Sequence, residues 1–152
     1  MAWDFETDPA FQAKLDWADE FVREEVEPLD LLWPDLVFTP PDERLRKVVD
    51  PLKQRVREQE LWATHLSPEL GGQGYGQVHL CLLNEILGRS NWAPVIFGCQ
   101  APDTGNAEII AHYGTPEQKE RYLRPLLDGE IFSCYSMTEP HAGADPTMFT
   151  TR

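Results

Sequence analysis

Three shortages bound what this 152-residue chain can be. Cations are scarce: 13 Lys and Arg stand against 26 Asp and Glu, a net charge of −13. A nucleic-acid partner is excluded, because binding phosphates needs clustered Lys and Arg that release counterions. An anionic membrane surface is excluded for the same reason. Cysteine is scarce too: Cys81, Cys99 and Cys134 show no CxxC and no Cys/His ligand spacing. They read as buried, reduced thiols of a cytoplasmic protein, and no metal site is expected. Long apolar runs are missing, since none approaches the roughly 20 residues that span a bilayer. The opening "MAWDFETDPA" has neither the basic nor the apolar region of a signal peptide, so the expected location is cytoplasmic.

What is present is helical periodicity. Thr7 or Asp8 can cap a helix with Pro9 at its first position, and Phe11, Leu15, Ala18, Val22 and Val26 then mark one face. "LLWPDLVFTPPD" (31–42) cannot continue that helix, because Pro34, Pro40 and Pro41 remove donors and clash with preceding carbonyls. A short helical piece is expected over 43–49, with Asp50-Pro51 as a fresh cap and first position for Leu52, Val56 and Leu61. Pro68, Gly71, Gly72, Gly74 and Gly76 make "SPELGGQGYG" a loop. A helix follows over about 77–88, with Leu80, Leu83, Ile86 and Leu87 facing inward. Another runs from about 104 to 113 and stops at Gly114. Thr115-Pro116-Glu117-Gln118 is a capping box with proline at N1, opening a helix that carries Tyr122, Leu123 and Leu126 as far as about Gly129. Trp17, Trp33, Trp62 and Trp92 are assigned to the core.

The pattern changes after Glu130. Ile131 to Met137 is a β-prone run ending in a polar turn, and a lone strand cannot satisfy its own backbone groups. The expected organisation is therefore an all-α bundle of five or six helices over residues 1–130. Residues 131–152 would be the first strand and loop of a β domain that lies elsewhere. An unpartnered strand edge of this kind is expected to stay solvated or to pair with another copy.

"YSMTEPHAGAD" (135–145) resembles the flavin-loop signature of the acyl-CoA dehydrogenases: aromatic, small, aliphatic, T-E-P, two residues, G, small, D. Two further stretches are similar to that family in the same order. "ELGGQGYG" (69–76) resembles the E-x-G-G-x-G stretch, and "YGTPEQKERYLRPLLDGE" (113–130) resembles the Y-G-x-x-x-Q-K-x-x-Y-L segment. "FGCQAPDTGNAEII" (97–110) resembles one branch, in some members of which the dehydrogenase is fused to a phosphotransferase-like domain.

The resemblance implies an FAD enzyme that oxidises an acyl-CoA thioester at its α and β carbons. A carboxylate takes the α proton while the β hydrogen leaves as hydride. It implies cofactor contacts from Tyr135, Met137, Thr138, Gly143 and Ala144, and acyl-chain contacts from Gln100, Ala101, Thr104 and Ala144. "PDTG" (102–105) also stands as a turn and cap in its own right. The family usually has serine where this chain has Ala144, so one hydroxyl donor to phosphate is missing, which is worth about 1–3 kcal/mol. His141 is either its replacement or a solvent-facing loop residue.

No catalytic residue is expected here, since the family's base is a glutamate of the C-terminal helical domain; Glu139 is read as part of the T-E-P turn. The stretch alone is expected to be inactive and to bind FAD negligibly. The complete enzyme is expected to be a homo-oligomer passing electrons to electron-transfer flavoprotein or a similar acceptor. Acyl-CoA oxidases and nitroalkane oxidases share the architecture, and a helical interaction module without chemistry is the reading from another class.

Overall fold

The computed structural model describes residues 7–35, 42–70 and 72–151. The described residues form an all-α bundle with an irregular C-terminal tail, as the periodicity predicts. Pro40, Pro41 and Gly71 lie outside them.

Helix α1 (Pro9–Phe21) starts where the sequence predicts, with Asp8 accepting from the Ala10 and Phe11 amides at 3.0 and 3.1 Å. It runs through a π turn (Val22–Val26) into α2 (Glu27–Leu32). The wider turn re-phases the helix so that Val22, Val26 and Leu29 all stay in the core.

Helix α3 (Glu43–Glu58) departs from the expectation. It is one helix capped by Asp42, and Pro51 sits inside it rather than starting a new one. Leu45 and Val49 before the proline and Leu52 and Val56 after it share one buried face. Burying four aliphatic side chains, at roughly 1.5–3 kcal/mol each, outweighs the roughly 3 kcal/mol of an interior proline.

Helix α4 (Gln77–Leu87) buries Leu83 and Leu87, with Leu80 and Ile86 half-buried. A short helix α5 (Ala93–Ile96), not anticipated from the pattern, plugs the core with Ala93, Val95 and Ile96. Ion pairs tie the outside of this layer: Arg89 to Asp19 at 2.7 Å, and Lys14 to Glu60 at 3.1 Å.

Helix α6 (Asp103–Tyr113) ends at Gly114, which is extended (φ −69°) rather than left-handed. The glycine is needed for space, since a β-carbon there would lie 2.5 Å from the Ile110 carbonyl oxygen. The predicted capping box is formed, with Thr115 and Gln118 bonding each other's amides at the head of α7 (Pro116–Gln118). A second π turn (Lys119–Leu123) leads into α8 (Arg124–Leu127). Leu66, Ala107, Ala111, Leu123 and Leu126 form a second, smaller core.

Trp62 joins the two cores. Its indole N–H donates to the Leu127 carbonyl at 2.6 Å, and the Arg57 guanidinium lies 3.8 Å over its ring. Trp62 and Trp92 are buried and Trp17 and Trp33 half-buried against the core, as assigned. The cysteines differ from the expectation: Cys81 and Cys134 are exposed. Only Cys99 is shielded, and burial pushes its thiol up to about 12. No helix among the described residues is long and apolar enough to cross a membrane, and no cluster among them suits a metal.

Candidate functional site

The expected strand over 131–137 is not formed among the described residues. A strand needs a partner ladder, and none of the described elements supplies one. The segment instead runs along the first turns of α6. Asp103 Oδ1 accepts from both the amide and the hydroxyl of Ser133, at 2.7 and 2.6 Å, and Asn106 Nδ2 donates to Ser133 Oγ at 2.8 Å. On the same turn, between Asp103 and Asn106, Gly105 leaves room for the Tyr135 hydroxyl.

The candidate residues fall into two groups, and this contact sets Tyr135 of the second beside the α6 start that follows the first. In the first, Gln100 donates to Asp103 Oδ2 at 2.7 Å and its carbonyl accepts from Thr104 at 3.1 Å. Gln100 and Thr104 are half-buried and Ala101 is exposed. With Lys53, Trp62 and Phe132, Gln100 lines a hollow of about 20 Å³, room for roughly one water. A hollow of that size does not enclose an acyl chain.

The second group is the loop. Tyr135, Met137, Thr138, Gly143 and Ala144 are all exposed. Glu139 and Ala142 exchange backbone hydrogen bonds at 2.8 and 3.1 Å, which confirms the T-E-P turn. A β-carbon at Gly143 would lie 3.4 Å from Thr138 Cγ2, ordinary contact, so the glycine keeps the outer face of the turn open rather than relieving a clash. Asp145 closes the far side by accepting from the Thr147 hydroxyl at 2.7 Å and amide at 3.0 Å, which lowers its carboxyl below the usual range. His141 is exposed, in line with the solvent-facing reading, and its Nε2 lies 3.2 Å from the Glu139 carboxylate.

Asp103, Gly105, Asn106 and Ser133 are the positioning residues that sequence reasoning passed over. Asp103 and Asn106 are three apart at a helix start, so they share a face. Ser133 is one of two serines in the run 131–137, the other being Ser136, so the sequence alone does not single it out as their partner.

The described residues are thus an all-α bundle whose C-terminal tail makes a turn closed by Glu139 and Ala142. The acyl-CoA dehydrogenase N-terminal domain profile matches residues 9–130, and the chain belongs to the acyl-CoA dehydrogenase family. Acyl-CoA dehydrogenase family member 11 of Homo sapiens is 45% identical over 101 residues, 66% of this chain and 13% of that protein. Acyl-CoA dehydrogenase family member 10 of Mus musculus is 43% identical over 102 residues, 64% of this chain and 10% of that protein. FadE2 of Mycobacterium tuberculosis, assigned as an acyl-CoA dehydrogenase, is 38% identical over 138 residues, 90% of this chain and 30% of that protein. A solved structure from Mycobacterium abscessus, assigned to the same enzymes, superposes with a TM-score of 0.78 at 34% identity, covering 93% of this chain and 37% of that one. The chain thus spans between a tenth and somewhat over a third of the length of these relatives.

Proposed function

We propose that this chain supplies the helical domain and flavin loop of an FAD-dependent acyl-CoA dehydrogenase, which desaturates a CoA thioester between its α and β carbons. Residues 1–130 are the helical domain and 131–152 open a middle β domain. One juxtaposition carries the reading: Asp103, Asn106 and Gly105 hold the segment 133–135 against the helix start that presents Gln100 and Thr104. Desaturation needs the thioester's α and β carbons fixed against the flavin ring, so the acyl wall and the flavin loop must be fixed to each other.

The loop's donor set fits the cofactor. Thr138 offers a hydroxyl, the Gly143 and Ala144 amides lie on an open turn, and no side chain at 143 blocks approach. When bound, FAD supplies the hydride acceptor. Thr138 donates at the ring edge, the 143–144 amides donate towards phosphate, and Tyr135 and Met137 give the ring an apolar surface. Gln100, Ala101, Thr104 and Ala144 provide one side of the acyl channel.

Glu139 is not the base. The Thr151 hydroxyl and the Thr150 and Thr151 amides hold its carboxyl at about 2, too acidic to take a proton well. The base is assigned to a glutamate of the C-terminal part of the complete enzyme. A cytoplasmic homo-oligomer with electron-transfer flavoprotein as acceptor completes the proposal.

Thr138→Ala in the complete enzyme tests it by stopped-flow. Flavin reduction by acyl-CoA should slow more than thioester binding weakens, because a ring-edge donor acts chiefly as charge develops. Equal reduction rates in variant and wild type would remove Thr138 from the site. Rapid reoxidation by oxygen rather than by electron-transfer flavoprotein would move the assignment to an oxidase.

A further inference from the structure

The loop that carries the cofactor contacts is closed by one side chain. Glu139 pairs through its backbone with Ala142, three residues on. Its carboxylate reaches much further along the chain. Oε2 accepts from the Thr150 amide and hydroxyl, both at 3.0 Å, and Oε1 accepts from the Thr151 amide at 2.8 Å. His141 Nε2 adds a contact at 3.2 Å. The Glu139 side chain is 12% exposed, in a loop whose other residues are mostly open to solvent.

A reverse turn needs only its backbone bonds to close. A carboxylate that also collects donors eleven and twelve residues later determines the path of everything between. Thr138 precedes one partner of the backbone pair and Gly143 follows the other, so two cofactor-facing positions flank the clamp directly.

We propose that Glu139 is a positioning residue for the cofactor loop, holding Thr138 and the 143–144 amides in place before any cofactor arrives. The proposal rests on the flavin reading above. Donors fixed in advance need no ordering on binding, which is where preorganised sites gain their affinity.

The test has two arms. In this chain, amide hydrogen exchange is followed by NMR in wild type, Glu139→Gln, Glu139→Ala and His141→Gln. Glu139→Ala should accelerate exchange at Ala142, Thr150 and Thr151 at least tenfold, while Ala107 and Ala111 in α6 stay unchanged. Glu139→Gln, which keeps one carbonyl acceptor, should fall between, and His141→Gln should resemble wild type. In the complete enzyme, Glu139→Gln should raise the Kd for FAD several-fold and shift the flavin's visible absorbance, which a remote loss of stability would not do. Unchanged exchange overturns the clamp, and faster exchange with unchanged FAD affinity and spectrum overturns its role in positioning. A wild-type enzyme that holds no FAD would overturn the flavin reading itself, and the proposal with it.

Discussion

The Tyr135 hydroxyl lies 2.6 Å from where a β-carbon at Gly105 would stand, so a bare position in α6 accommodates the tyrosine that opens the 135–145 segment. A glycine in a helix interior costs about 1 kcal/mol relative to alanine, and one in the first turn, as here, costs less. Gly105→Ala should therefore gain less than about 1 kcal/mol in helix propensity while expelling the Tyr135 ring. A urea melt reads the first effect and the Tyr135 ring resonances the second. Unshifted Tyr135 resonances would show that the two residues do not meet.

Asp103 and Ser133 should behave as a coupled pair. Leaving either partner's bonds unmade costs about 1–3 kcal/mol at a half-buried site. Asp103→Ala and Ser133→Ala should each destabilise, and the double variant should destabilise by clearly less than their sum. Strict additivity in denaturant titrations would mean that the segment is not anchored by this contact.

Pro51 interrupts a helix that continues on both sides of it. Pro51→Ala should restore the missing amide bond and stabilise the protein by roughly 1–2 kcal/mol, less than the full interior penalty because the unfolded chain also gains freedom. A lower midpoint than wild type would favour two helices joined at Asp50.

His65 has two buried ring nitrogens without a hydrogen-bond partner among the described residues, and burial lowers its pKa from the ordinary 6.5 despite the opposing pull of Glu108. The folded protein therefore binds fewer protons here than the unfolded chain. The contribution is fully present above pH 6.5 and declines as pH falls towards the lowered folded value. His65→Phe should be at least as stable at neutral pH and should lose less stability on acidification. Parallel stability curves for the two proteins would contradict this.

The helices were legible in the sequence wherever local chemistry and burial agree. Asp8-Pro9 and the Thr115–Gln118 box mark real helix starts, and the spacing of Phe11, Leu15 and Ala18 marks a real core face. Pro51 follows an aspartate and so reads locally as a helix start, and only tertiary burial of Leu52 and Val56 overrules it. The π turns were invisible because they preserve the apolar face rather than change it. The loop motif was legible as residue types, but what holds it was not. Asp103 and Ser133 are thirty residues apart, and Glu139 and Thr151 twelve, and no sequence period links such pairs.

Anaerobic titration of the complete, FAD-loaded enzyme with acyl-CoA thioesters decides whether this domain serves acyl-CoA desaturation. The flavin's visible absorbance should bleach, with formation of one trans-2-enoyl thioester per flavin reduced. A flavin that stays oxidised through a panel of straight-chain and branched acyl-CoA thioesters would contradict that role.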